Sequence, residues 1–197
     1  MVINKLKLAI FISGRGSNMH SIMKACQNPD YPAEISVVLS NKENAEGLKI
    51  AANAGIPTEF VDHTAYNSRE DFEDEIQERL EKYDLDLIVL AGFMRILTSG
   101  FVEEWPDQII NIHPSLLPDY KGLNTHERAI NDGKKEAGCT VHFVTADLDS
   151  GPTIAQRRVP IKDGDTPETL AQRVLIEEHD IYPEAIELLA KSKQKNQ

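Results

Sequence analysis

At 197 residues the chain is long enough for one substantial domain and short for two. Its balance, 41% hydrophobic and 27% charged, is that of an ordinary globular protein in water, and a formal net charge of −11 argues against a nucleic-acid binder, which would show a basic surface. Cys26 and Cys139 lie far apart with no C-x-x-C, so they read as buried thiols of a reducing compartment, with neither a zinc site nor a disulfide framework.

The first apolar run, 6–12, is rich in β formers, and with only five or six apolar residues it is too short for a signal sequence. No apolar run approaches membrane-spanning length, and a cytoplasmic location is expected. The run is broken by Ser13-Gly14-Arg15-Gly16-Ser17-Asn18, after which Met19, Ile22, Met23 and Cys26 repeat at helical spacing. A second strand is expected at 35–39, a helix at 45–54 closed by Gly55-Ile56-Pro57, and a short third strand at 58–61. Ser68 followed by Glu70 and Asp71 is a helix start, and Phe72, Ile76, Leu80 and Tyr83 give that helix its apolar stripe. Residues 85–90 are nearly all apolar, as in a strand covered on both faces, and a short helix near 98–105 leads to a strand at 109–113.

Alternating strands and helices predict an α/β fold, a doubly wound and mostly parallel sheet with helices on both faces. Ligands of such sheets bind outside the carboxyl ends of the strands, where the loops after 12, 90 and 113 should gather. Beyond a helix at 125–131 the pattern changes. Strands at 139–144 and 153–159 are joined by too few residues for a crossover helix, so that pair should be antiparallel. Thr166-Pro167 opens the last helix, striped by Leu170, Val174, Ile181, Ile186 and Leu189 and expected to kink at Pro183. The basic tail after about residue 191 should fray. With no repeat or linker, residues 1–197 read as a single domain.

Five groups of residues carry candidate chemistry. Gly14-Arg15-Gly16-Ser17-Asn18 sits between a strand and a helix, where backbone N–H groups and the helix dipole suit a phosphate; it reads equally well as a tight turn. Asn111 and His113 alternate onto one face of their strand, which places a carboxamide donor beside a titratable imidazole. Asp149, before Ser150-Gly151-Pro152, either bonds its own turn or faces His113 across a cleft; in the second case the three residues can receive an oxyanion and move a proton. Phe93-Met94-Arg95-Ile96-Leu97 combines apolar side chains with free backbone groups, as a flat heteroaromatic ligand requires, and Glu178 on the last helix could hold an amine or a ribose hydroxyl.

Taken together, 12–18, Ser40-Asn41-Lys42, 90–97, Asn111-Ile112-His113-Pro114-Ser115-Leu116-Leu117-Pro118, His142-Phe143-Val144 with Leu148-Asp149-Ser150-Gly151-Pro152, and Glu178-His179 resemble the glycinamide ribonucleotide formyltransferases, folate-dependent enzymes of purine synthesis. The resemblance implies formyl transfer from 10-formyltetrahydrofolate, as co-substrate and without a metal, to the amine of glycinamide ribonucleotide. It implies that Asn111 and His113 stabilise the oxyanion, and that Asp149 assists proton transfer and keeps His113 charged. Gly14, Arg15, Gly16, Ser17, Asn18 and Glu178 would bind the ribonucleotide. Arg69, Met94, Arg95, Ile96, Leu97, Asn111, Val144, Thr145, Ala146, Asp147 and Leu148 would bind the folate. Partners would be small molecules, with neither nucleic acid nor membrane, and the protein a monomer or homodimer. Two positions depart from the family pattern: Asn124 stands where a His is frequent, and Ser150 where a Gly is frequent. The alternatives are hydrolysis of the same folate, formylation of an aminoacyl-tRNA (disfavoured by the charge) and a non-catalytic folate- or nucleotide-binding protein.

Overall fold

The computed structural model describes residues 5–195. Seven strands form one sheet in the order β3-β2-β1-β4-β5-β6-β7. The first five, β1 (Leu6–Ile12), β2 (Ala33–Ser40), β3 (Thr58–Phe60), β4 (Leu87–Leu90) and β5 (Ile109–His113), are mutually parallel. The other two, β6 (Glu136–Phe143) and β7 (Thr153–Pro160), pair antiparallel as expected from their short connection, and β6 is also antiparallel to β5.

The period-two pattern of the strands separates two cores. Leu8, Ile10 and Ile12 of β1, with Ile110 and Ile112 of β5, point into one cluster, closed by α1 (Ser17–Cys26), α2 (Glu46–Asn53) and α6 (Pro167–Lys195). Ala9, Phe11 and Ile109 point the other way, against α3 (Arg69–Leu80) and α4 (Ser99–Glu104). Helices thus cover both faces, and each fully buried Leu, Ile or Phe contributes about 1.5–3 kcal/mol of burial free energy.

Local signals act where the sequence places them. Ser68 Oγ accepts from Asp71 N at 3.0 Å and starts α3. Thr98 caps α4, and Glu73 of α3 accepts from both Thr98 N, at 2.8 Å, and Thr98 Oγ1, which fixes the end of the 92–98 loop. The seven-residue helix α5 (Thr125–Asn131) begins at Asn124, whose φ of 57° is left-handed, a conformation Asn tolerates better than most residues. The last helix runs through Pro183, whose carbonyl accepts from Tyr31 Oη at 2.7 Å, and continues to Lys195 through the basic stretch expected to fray. Tyr182, fully buried one turn after Glu178, directs its hydroxyl at the carbonyls of Leu90 and Ile110, at 2.9 and 3.2 Å, and so docks α6 on both β4 and β5. Among the described residues no helix is long and apolar enough to cross a membrane.

Candidate active site

Sheet order turns outward on either side of β1 and β4, and at that switch point the loops after both strands open a pocket. It is lined by residues 13–18 from one side and by Ala91, Gly92 and Met94 from the other. Gly16 has a φ of 71°, and a Cβ there would stand 3.0 Å from Gly47 Cα, so the turn requires glycine on both counts. No side chain caps α1, which leaves its first N–H groups and the helix dipole available to an anion. Asn18 lies inside the helix and does not cap it. Its Nδ2 donates to Glu178 Oε2 at 2.7 Å, joining two of the expected binding residues across 160 positions of sequence. Burial raises the Glu178 carboxyl above its ordinary value, and the bond from Asn18 opposes this more weakly.

Ser13 ties the two loops together. Its hydroxyl donates to Asn41 Oδ1 at 2.6 Å and accepts from Met94 N at 2.7 Å, while Asn41 reaches His63.

The pocket opens at Asn18, Gly92 and Met94 into a cleft of about 990 Å³. Asn111, His113 and Asp149 line it together. Ile110 and Ile112 belong to the core under α6 and Ile109 to the opposite one, so alternation puts Asn111 and His113 on Ile109's side, as the strand period predicts. His113 is 6% exposed and Asp149 8%; His113 Nδ1 lies 3.4 Å from Asp149 Oδ2, and His113 Nε2 lies 2.9 Å from the Tyr120 carbonyl. Both neighbours only accept. The imidazolium satisfies both, whereas a neutral ring sets one lone pair against an oxygen.

Asp149 adopts a left-handed φ of 48°, and its Oδ2 also accepts from Gly122 N at 2.9 Å. Because β6 runs antiparallel, its end at Phe143 lies beside Ile110, three residues and about 10 Å short of His113 along the strand. The 144–152 connection folds back over that distance to bring Asp149 to His113.

Four large apolar side chains stand exposed around the cleft: Met94 at 64%, Ile96 at 57%, Leu123 at 74% and Leu148 at 51%. Arg95, Leu97 and Val144 to Leu148 complete that end, and Arg95 Nε is buried there without a protein partner. Apolar walls with a few polar points suit a flat heterocyclic ligand. Arg69 stands apart from its expected companions: it is exposed on the first turn of α3, outside the cleft lining. Among the described residues no group of three or more His, Cys, Asp and Glu side chains could hold a metal ion.

Two further histidines belong to the cleft, neither marked as functional by its local sequence. His142 of β6 lies opposite Asn111 in the ladder and 3.3 Å from its Nδ2. His126 of α5 also lines the cleft, with a buried, unpartnered Nδ1; burial and then the nearby His113 lower its pKa. The signal for His142 was strand register, readable only once β6 is known to pair with β5.

A family model described as formyl transferase matches residues 6–186. The chain is 48% identical to the trifunctional purine biosynthetic protein adenosine-3 of Gallus gallus over 187 residues, 95% of this chain but only 19% of that protein. It therefore spans less than a fifth of that relative's length. With the phosphoribosylglycinamide formyltransferase of Escherichia coli strain K12 it shares 43% identity over 185 residues, 94% of this chain and 87% of that one. The solved phosphoribosylglycinamide formyltransferase of Coxiella burnetii superposes with a TM-score of 0.91 at 49% identity, covering 95% of this chain and 88% of that one. Glycinamide ribonucleotide transformylase 1 of Symbiobacterium toebii gives 0.92 at 44% identity over 96% of this chain and 89% of its own. Matched by the family model from the first strand into the last helix, this chain belongs to the formyl transferase family.

Proposed function

We propose that residues 1–197 form one cytoplasmic formyltransferase domain that moves the formyl group of 10-formyltetrahydrofolate to the amine of glycinamide ribonucleotide, a step of purine synthesis. The observation that carries the reading is that Asn111, His113 and Asp149 line one apolar cleft, into which an anion-suited pocket opens. A phosphorylated acceptor and a heteroaromatic donor each find matching chemistry, and their reacting ends meet at those three side chains.

The ribonucleotide phosphate takes the uncapped start of α1 and the 14–17 turn, and Glu178, held by Asn18, takes ribose hydroxyls. The pterin lies among Met94, Ile96, Leu97 and Leu148 and bonds main chain of 92–97 and 144–148, the groups that already line the cleft. Arg69, one helical turn before Glu73 and thus near the anchored end of the 92–98 loop, meets the far end of the donor outside the cleft lining.

Attack of the amine nitrogen on the formyl carbon converts the carbonyl to an alkoxide. Asn111 Nδ2 supplies one N–H donor to that oxygen, and His113 Nδ1, whose proton is shared between the oxygen and Asp149, supplies the other. The amine must then lose a proton and the departing folate nitrogen gain one. Asp149, beside His113 Nδ1, accepts and returns that proton, with water spanning the remaining distance. Collapse of the tetrahedral centre breaks the bond from carbon to the folate nitrogen and leaves the formamide on the ribonucleotide.

The test is to supply the formyl donor with and without glycinamide ribonucleotide and to follow the deformylated folate. Consumption only when the amine is present is the expected result. Consumption that ignores the amine would make the protein a hydrolase, and none in either case would leave a binding protein.

A further inference from the structure

His142 lines the cleft beside Asn111, and the proposed reaction gives it no step. It is buried at 2% exposure on β6, with each ring nitrogen facing one polar group at hydrogen-bond distance. Nδ1 lies 2.8 Å from the Phe143 carbonyl, which only accepts, so Nδ1 carries a proton. Nε2 lies 3.3 Å from Asn111 Nδ2, which only donates, so Nε2 must present its lone pair. Only the neutral ring protonated on Nδ1 satisfies both contacts. Burial acts in the same direction by disfavouring the charged form. The remaining charged or titratable neighbours of the ring are Asp149, with Oδ1 at 3.7 Å from Nε2, and His113.

We propose that His142 is a positioning residue, whose Nε2 accepts from the Asn111 carboxamide and thereby decides which end of that carboxamide faces the reacting carbonyl oxygen. Asn111 is half-exposed on its strand, and its side chain makes no other hydrogen bond within the described protein. A free carboxamide turns over easily, because nitrogen and oxygen differ little in shape. Turned over, Asn111 would set its own oxygen against the His142 lone pair and present an acceptor to a developing oxyanion. With His142 in place that orientation is repulsive. One amide proton is engaged by His142 and the other is left for the ligand. The neighbouring histidines are thus held in opposite roles: His113 faces two acceptors, and His142 faces one acceptor and one donor.

This inference rests on the proposed formyl transfer for its kinetic consequences, but the contact itself can be read without activity. In the unsubstituted protein at neutral pH, ¹⁵N NMR of His142 should show the ring protonated on Nδ1 alone; a ring protonated on Nε2, or on both nitrogens, overturns the proposal. If the protein transfers no formyl group, the function reading fails while this measurement still decides the contact. Kinetically, His142→Ala should lower kcat by about 10- to 100-fold, less than the 10²–10³-fold typical when an oxyanion donor is removed outright, with the KM of both substrates within about threefold. His142→Gln, whose Oε1 stands near the place of Nε2 and can accept, should recover most of the loss. In an Asn111→Ala background, His142→Ala should cost nothing more, because the side chain it positions is gone. Additive losses, or no rescue by Gln, would show that His142 acts by packing and overturn the proposal.

Discussion

Asp149→Asn separates the charge of this carboxylate from its shape. The change is isosteric and keeps one oxygen for the Gly122 N–H, now 2.9 Å from Asp149 Oδ2, so the turn should hold. What disappears is the negative charge 3.4 Å from His113 Nδ1 and the ability to take a proton. At an effective dielectric of about 20, two unit charges at that distance interact by about 5 kcal/mol, a ceiling because desolvation offsets much of it. A more realistic difference between a charge-assisted and a neutral contact is about 1–2 kcal/mol, roughly 10-fold in rate. Loss of the proton acceptor adds about 10²-fold or more. The expected kcat is therefore lower by about 10³-fold, with KM for both substrates nearly unchanged, since the carboxylate's contacts are to protein groups. The assay is release of deformylated folate at saturating donor and acceptor, with thermal unfolding as the control for folding. A variant of unchanged melting temperature and kcat within about threefold of the parent would refute the role given to Asp149.

Glu178→Gln tests the cost of a buried carboxyl. Unfolded, the group loses its proton near its ordinary value of 4.5, while the folded site holds it to higher pH. In that window the folded state binds more protons, so stability falls as pH rises through it. The Gln variant should melt higher than the parent near pH 8, the gap closing toward pH 4.5, and bind ribonucleotide more weakly; an equal or lower melting temperature at pH 8 would contradict this. Gly138→Ala should destabilise by about 3 kcal/mol or more, because its Cβ would stand 1.9 Å from the Arg157 carbonyl oxygen, inside the antiparallel pair. Urea unfolding measures it, and a loss below about 1 kcal/mol would mean that β7 yields easily. Burial pushes the Cys26 thiol up to about 11 and the Cys139 thiol up to about 12. At pH 8 their thiolate fractions are then about 1 in 10³ and 1 in 10⁴, so a thiol-directed disulfide reagent should react slowly with native protein and fast with unfolded protein. Cys26 is only partly buried, so the test rests on Cys139, whose rapid labelling in the native state would show that the core around it opens.

The parallel half of the sheet was legible because its signals are local: five apolar runs, each followed by turn residues, with Ser68 and Thr98 capping the helices between them. The gathering of the 13–18 and 92–97 loops followed from strand-then-helix order alone. What stayed hidden depends on pairing between distant segments. Nothing in residues 136–143 says that they return antiparallel beside β5, so neither the His142–Asn111 contact nor the backward fold of 144–152 could be derived from spacing. Asn18 shows the same limit. Read locally it is a residue that favours helix starts, but its partner is a carboxylate on the last helix. Arg69 came from family resemblance, and the fold leaves it at the first turn of α3, beyond the cleft.

The bond between Asn18 and Glu178 also bears on how the protein is made. Everything else around the 13–18 turn comes from the first half of the chain, whereas the carboxylate that engages it arrives 160 residues later, on a helix pinned by Tyr182 to the middle strands. During synthesis at about 5–20 residues per second, the turn would wait roughly 10–30 s for that partner. The nascent sheet can form its parallel core in that interval, but the end with the uncapped α1 start stays unfinished until α6 docks. If the proposed ribonucleotide site is right, capture of the emerging chain on an immobilised ribonucleotide would therefore mark chains whose α6 has docked and pass over shorter ones.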